Sequence, residues 1–164
     1  MQTLRAGKTA PTFQLATTTG ERLSLSEALA SGPVLLAFFK VACPVCQFTF
    51  PFLQRMYEQM RQKGVQIWGV VQDKAPDGTR FATTYGVAFP ILIDDSPYKV
   101  SRAYGLTHVP SLFLIKPDGV VEIFSDGFSK ADLLALQQSL ARFLFATPPS
   151  LFLPTESIPE YKPG

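Results

Sequence analysis

One stretch of the sequence, residues 34–51, constrains the fold more than any other. It opens with six apolar residues, Val34–Phe39, which have the length and character of a strand buried on both faces. Cys43 and Cys46 follow as a Cys-x-x-Cys pair, and the chain then takes up a helical pattern. Apolar residues recur in that pattern every three or four positions: Val45, Phe48, Phe52, Met56 and Met60. The two cysteines are therefore placed where a buried strand leads into the N-terminus of a helix.

This placement predicts different roles for the two cysteines. The first N–H groups of a helix have no intrahelical acceptor, and the aligned peptide dipoles add partial positive charge there, so a thiolate is stabilised. Cys43 precedes the helix and is expected to be the exposed, attacking thiolate. Pro44, which has no N–H, suits the first helical position. Cys46 is expected to be more buried and to resolve the mixed disulfide. The alternative is a pair of inert thiols.

The number of cysteines limits which role the Cys43–Cys46 pair can have. The chain has two cysteines and one histidine. A structural disulfide framework uses more cysteines at wider separations. A structural zinc site needs about four ligands, more than Cys43, Cys46 and His108 supply. A redox-active pair is the favoured interpretation, and it requires no cofactor.

Composition and charge exclude several classes of partner. The 164 residues, 46% hydrophobic and 17% charged, are typical of a globular domain. A formal net charge of +2 is too small to indicate nucleic acid or an anionic membrane. No window approaches the roughly 18 apolar residues of a membrane span. The N-terminal residues lack the apolar core of a signal peptide. We therefore expect a cytoplasmic protein, or a periplasmic or other extracytoplasmic protein if a leader has been removed. We also expect a monomer.

Strand and helix signals alternate along the chain. A parallel βαβ unit followed by an antiparallel hairpin and a helix predicts an α/β fold, with a mixed central β-sheet, helices on both faces and an N-terminal β-hairpin. The predicted elements are a hairpin with its turn at Gly20, a short helix capped by Ser24-Leu-Ser-Glu27, strand 34–39, a helix to about Lys63, strand 65–71, helix 79–85, strand 91–93, helix 96–104, strands 111–115 and 120–124, and a helix capped by Ser129.

The chain is expected to divide into a domain, residues 1–146, and a Pro-rich C-terminal tail, residues 147–164. Five prolines predict that the tail is extended. We expect the last few residues to fray. Four apolar side chains are expected to anchor part of the tail against the domain: Leu151, Phe152, Leu153 and Ile158.

Taken together, these motifs resemble the thioredoxin superfamily, and more closely the TlpA/ResA-like thiol–disulfide oxidoreductases and the AhpC/TSA (redoxin) group. The resemblance covers about residues 7–146. It implies a thioredoxin-like fold and reversible exchange with protein thiols or disulfides, together with an upstream redox partner. The motifs that carry it are Gly7-Lys-x-Ala-Pro11-x-Phe13, Phe38-Phe39 ahead of Cys43-Pro-Val-Cys46, Pro51, and the segment from Tyr104 to Gly119 that contains Val109-Pro110.

The resemblance also implies a substrate-binding edge. By it, Val109–Pro110 is a cis peptide bond that lies beside the cysteines and exposes the backbone of Val109. An extended substrate peptide would lie on this edge and against Pro44. From the residues alone, a trans proline that opens a strand is the alternative.

Three positions depart from the family pattern. Ala37 and Thr49 stand where relatives carry an Asp and a Glu, the usual acid–base partners of the second cysteine. Ala42 stands where a tryptophan is common, so the rim of the site is less aromatic. The first two departures put fast dithiol cycling in doubt.

Two side chains near the cysteines are candidate modulators. Lys40 would favour the thiolate through its positive charge, although an exposed lysine at a strand end is the alternative. His108 would exchange protons in place of the missing carboxylates, although a solvated loop histidine is the alternative.

A thiol–disulfide oxidoreductase is the predicted function, with two alternatives. The redoxin resemblance allows a peroxiredoxin-like thiol peroxidase, but peroxiredoxins carry a Thr where this chain has Cys43 and an Arg where it has Pro110. A Cu(I) carrier would use the soft thiolates and a histidine, but Sco-type carriers have a Cys-x-x-x-Cys spacing.

Overall fold

The computed structural model describes residues 2–60 and 64–164. Its elements are β1 (Gln14–Ala16), β2 (Arg22–Ser24), α1 (Leu25–Leu29), β3 (Val34–Phe39), α2 (Pro44–Met60), β4 (Gln66–Val71), α3 (Ala75–Tyr85), β5 (Ile91–Ile93), α4 (Lys99–Ala103), β6 (Ser111–Ile115), β7 (Val121–Asp126), β8 (Phe128–Ser129), α5 (Lys130–Phe143) and β9 (Tyr161–Lys162). A five-stranded sheet in the order β5-β4-β3-β6-β7 lies at the centre. The pairs β1–β2 and β8–β9 form two smaller sheets.

Strand β3 is the centre of the sheet because all of its residues are apolar. It pairs in parallel with β4 and antiparallel with β6, and every one of its residues is buried. Successive side chains of a strand point to opposite faces, so Phe39 joins one hydrophobic cluster and Phe38 the other. The mixed sheet and the N-terminal hairpin confirm the predicted fold class.

Helices cover both faces of this sheet, as predicted. Helices α2, α3 and α5 pack in the cluster that contains Phe39, whereas α1 and α4 pack in the cluster that contains Phe38. On the first face, the ring of Phe50 lies 4.3 Å from that of Phe39 and 5.3 Å from that of Phe81, measured between centroids. On the second face, Trp68 is a buried core residue, as expected. The strand that leads to the cysteines is therefore fixed from both sides.

The helix boundaries follow the positions of proline and glycine. Helix α2 begins at Pro44, and its predicted end near Lys63 lies outside the described residues. Helix α3 begins at Ala75, earlier than predicted, because Pro76 fits the first turn of a helix, where no N–H is needed. Gly86 ends α3 in the left-handed conformation, with φ of 68°. Within the described residues, none of the helices is both long and apolar enough to span a bilayer.

The tail differs from the prediction at two points. Leu151 is buried, and Phe152 and Ile158 pack half-buried against the cluster around α2 and α5, but Leu153 is 51% exposed and anchors nothing. Successive side chains of an extended segment point in different directions, so three consecutive apolar residues cannot all face the domain. The last residues, which are expected to fray, instead contain β9, which pairs antiparallel with β8.

Candidate active site

The two cysteines lie at the carboxyl end of β3, where the chain enters α2. Both are free thiols; Cys43 is partly exposed, and Cys46, in the first turn, is fully buried. The Cys46 N–H donates a hydrogen bond to Cys43 Sγ over 3.1 Å. Cys43 is thus the sulfur that a partner can reach, and it receives one of the N–H groups that a helix start leaves without an intrahelical acceptor.

The loop before Cys43 is held at Val41 by two side chains that sequence reasoning missed. The Val41 N–H donates to the Asp73 carboxylate over 2.9 Å, and Gln47 Nε2 donates to the Val41 carbonyl over 2.9 Å. Asp73 follows β4, and the carboxyl ends of parallel strands meet at the same edge of a sheet. That rule is the signal by which Asp73 could have been found.

The surroundings of Cys46 favour its protonated form. Burial raises the pKa of the Cys46 thiol far above its ordinary value, and hydrogen bonding with Cys43 raises it further. The hydroxyl of Thr49 is buried and donates to the Val45 carbonyl over 2.7 Å. Ala37 is buried within β3. Neither of the positions that carry an acid in relatives therefore places a carboxyl group beside this thiol.

The residues implied to bind substrate adjoin Cys43. The Val109–Pro110 peptide bond is cis, as the resemblance implies. The Cys43 S–H donates to the Val109 carbonyl, with 3.6 Å between sulfur and oxygen. Val109 is half-buried, Pro110 is buried, and Pro44 is exposed at the first position of α2. The structure thus brings Cys43 and the backbone of Val109 together.

Lys40 and His108 lie on one side of this site. Both are exposed, and together with Val109 they line a shallow cavity. The Lys40 carbonyl accepts a hydrogen bond from the Cys43 N–H over 3.2 Å. His108 Nδ1 shares a hydrogen bond of 2.8 Å with the Thr107 hydroxyl. Among the residues that the structure describes, neither the Lys40 nor the His108 side chain hydrogen-bonds to a cysteine sulfur.

The fold and the cysteine pair define a class, the thioredoxin-like proteins with a Cys-x-x-Cys at a helix start. The model of the AhpC/TSA family matches residues 6–123, and the chain belongs to this family. It is 34% identical over 121 residues to the thiol-disulfide oxidoreductase ResA of Bacillus subtilis (strain 168). That match covers 73% of this chain and 66% of the relative.

Solved structures share the fold. A crystal structure from Chlorobium tepidum, assigned to the thiol:disulfide interchange protein DsbE, has a TM-score of 0.76 at 32% identity and covers 87% of this chain and 99% of its own. Peroxidoxin BcpB from Mycobacterium tuberculosis has a TM-score of 0.72 at 21% identity, covering 85% of this chain and 97% of its own, and shows the fold alone. The family and these relatives identify a thiol–disulfide oxidoreductase of the thioredoxin superfamily, as the sequence predicts.

Proposed function

We propose that Cys43 is the attacking thiol and Cys46 the resolving thiol in reversible dithiol–disulfide exchange with protein substrates. One observation carries this proposal: the partly exposed Cys43 sulfur accepts the Cys46 N–H, and the Cys46 thiol is buried behind it. A hydrogen bond from a helix-start N–H stabilises negative charge on the sulfur, and a partner protein reaches Cys43 before Cys46.

Exchange then proceeds in two balanced steps. In the reducing direction, the Cys43 thiolate attacks one sulfur of a substrate disulfide, forms a bond to it and releases the other sulfur as a thiolate. Cys46 next loses its proton and attacks Cys43 Sγ, which releases the first substrate sulfur. Two electrons have passed to the substrate together with one proton from Cys46, and a Cys43–Cys46 disulfide remains. The second substrate sulfur takes its proton from solvent, which received the Cys43 proton when the thiolate formed. An upstream dithiol restores the reduced pair, and oxidation of a substrate is the same sequence reversed.

The burial of Cys46 sets the order of the two exchange steps. A thiol whose pKa is raised by desolvation stays protonated and does not compete with Cys43 for an incoming disulfide. Its proton can pass to the departing substrate thiolate during the second step. That the protein works as a monomer, and the compartment in which it works, stay predictions.

Insulin reduction with dithiothreitol as electron source tests the assignment. We expect Cys43→Ser to lower the rate to that of dithiothreitol alone, because the attacking sulfur is gone. Ala135→Ser, a change at an exposed position of α5, is the control and should keep the wild-type rate. Turnover that survives in Cys43→Ser would reject the role proposed for Cys43.

The geometry favours exchange over peroxide reduction. By the family pattern, Cys46 occupies the position of the peroxidatic cysteine, and here that thiol is fully buried. Peroxiredoxins activate the peroxide through a hydroxyl and a guanidinium, and this chain has Cys43 and Pro110 at those positions. We expect hydrogen peroxide to be consumed at about the rate of a free thiol. A much faster rate that depends on Cys43 would reverse this choice.

The structure supports the copper-carrier alternative less than it supports thiol–disulfide exchange. Across residues 2–60 and 64–164, no three His, Cys, Asp or Glu side chains are grouped closely enough to hold a metal ion. Stoichiometric Cu(I) retained through purification would be the observation in favour of a carrier.

A further inference from the structure

Residues 160–164, called here the covering segment, lie along the rim of the cysteine site. Tyr161 and Lys162 pair with Ser129 and Phe128 as the β9 and β8 strands. The Lys130 N–H donates to the Glu160 carbonyl over 2.9 Å and extends this pairing by one residue. The covering segment is therefore held by backbone hydrogen bonds to the edge of β8, as an added strand would be.

The end of the covering segment reaches the backbone beside Cys43. A Cβ atom added to Gly164 would lie 2.2 Å from the Val109 carbonyl oxygen, so the backbone at 164 is in direct contact with Val109. The same oxygen accepts the hydrogen bond from the Cys43 thiol. On the α2 side, Lys162 Nζ lies 4.8 Å from the centroid of the Phe48 ring. The segment thus occupies the surface between β8, Val109 and α2.

The chain just before the covering segment is anchored more firmly. The Arg55 guanidinium makes two hydrogen bonds to the Glu156 carboxylate, of 2.7 and 2.6 Å, and another of 3.1 Å to the Leu151 carbonyl. Leu151 itself is buried. All five residues of the covering segment, by contrast, are exposed. The covering segment can therefore leave the surface while residues 151–158 stay docked.

We propose that the covering segment is an internal competitor of protein substrates, and that an extended substrate segment must displace it from β8 and Val109 before its disulfide reaches Cys43. This inference rests on the proposed function and adds a regulatory element to it. The partner that fits is an extended polypeptide that pairs through its backbone with residues 128–130. Side-chain contacts of the covering segment, Tyr161 with Asp126 and Lys162 with Phe48, indicate that an aromatic residue followed by a basic one is favoured.

Tethering makes such a competitor effective even when its own affinity is weak. A segment joined by a short linker acts at an effective concentration in the millimolar range. A chain that ends at Pro159 keeps the Arg55–Glu156 anchor and loses only the exposed covering segment. We expect this truncation to raise kcat/KM for insulin reduction by about tenfold, because the competitor is gone. Thr155→Ala, at an exposed position of the anchored region, is the matched control and should leave kcat/KM unchanged.

A binding measurement separates this inference from the proposed function. A labelled peptide of residues 160–164 should bind the truncated chain at millimolar or lower concentration and bind the full chain at least about tenfold more weakly. This result needs no turnover, so it stands even if insulin is not reduced. Gly164→Ala in the full chain should raise peptide binding to a level between those of the full and truncated chains. The Cβ of the new alanine cannot fit against the Val109 carbonyl, so the covering segment is held less well.

Three results would overturn the inference. The first is equal peptide binding by the truncated and full chains. The second is a kcat/KM that the truncation leaves unchanged. The third is a kcat/KM that the truncation lowers, which would make the covering segment part of the substrate-binding surface. Loss of insulin reduction in both chains, with the expected difference in peptide binding, would instead reject the proposed function and support occupation of this surface by the covering segment.

Discussion

The junction of β3 with α2 and the covering segment both reach the Val109 carbonyl, but they are held in place in different ways. The junction follows a strand buried on both faces, and its loop is fixed at Val41 by two side chains. The covering segment is exposed and rests on backbone pairing with a strand of two residues. Our proposals assign different work to the two regions: rigid structure positions the sulfurs, and an easily displaced segment controls access to them.

The largest expected difference between the two regions is in global stability. Phe50 is fully buried, and its ring packs on that of Phe39 beneath the junction. We expect Phe50→Ala to lower the free energy of unfolding by about 3–5 kcal/mol, because it leaves a cavity in the core. Urea denaturation measures this change. Tyr161→Ala removes a ring from the covering segment, where Tyr161 is 52% exposed, and should cost about 1 kcal/mol or less. Similar losses in the two variants would contradict the comparison.

A smaller loss of stability is expected from changes at Asp73, which fixes the loop before Cys43. Asp73→Ala leaves the Val41 N–H without its acceptor, and we expect a loss of about 1–3 kcal/mol in unfolding free energy. The loop that carries Cys43 would shift, so insulin reduction should slow by about tenfold. Asp73→Asn keeps an acceptor oxygen and should recover most of the rate. Asp95→Ala, at an exposed site elsewhere, is the control. An unchanged rate in Asp73→Ala would show that the loop does not need this contact.

The smallest effect is a pH dependence confined to the tail. Hydrogen bonds from Arg55 lower the pKa of Glu156 from 4.5 to about 2. Because this pKa is lower in the docked tail, the ionised carboxylate stabilises docking fully above about pH 4.5, and that stabilisation is lost as the pH falls through about 2. The Leu153 N–H donates to Glu156 Oε1 over 2.8 Å, so its amide NMR shift follows the titration. We expect a midpoint near 2 in the wild type, moving toward 4.5 in Arg55→Met. An identical midpoint in both proteins would exclude Arg55 as the cause.

The junction could be predicted from the sequence because its signals are local. Val34–Phe39 is apolar throughout, and a Cys-x-x-Cys with a helical pattern follows within a few positions. Ser24 and Ser129 likewise cap α1 and α5, accepting from the N–H groups three residues on, as their sequence pattern indicates. In each case a short window contains both the residue and the reason for its structure.

What could not be predicted depends on contacts between distant parts of the chain. Asp73 accepts the Val41 N–H from the loop that follows β4. The rule that parallel strands end at one edge of the sheet brings the two loops together, but no local pattern marks the pair. Tyr161 and Lys162 are too few to show strand periodicity, and their partner β8 is equally short. The prediction that Leu153 anchors the tail is wrong, because three consecutive apolar residues do not reveal which of them faces the domain.

Trapping the mixed disulfide tests the central claim most directly. Cys46→Ser removes the resolving thiol and leaves Cys43 as the only thiol in the chain. Incubated with a disulfide-containing peptide and digested, this variant should yield a stable adduct through Cys43, identified by mass spectrometry, whereas Cys43→Ser should yield none. An adduct through Cys46 in Cys43→Ser, formed as readily as the one through Cys43, would contradict the proposal that Cys43 is the sulfur that meets the substrate.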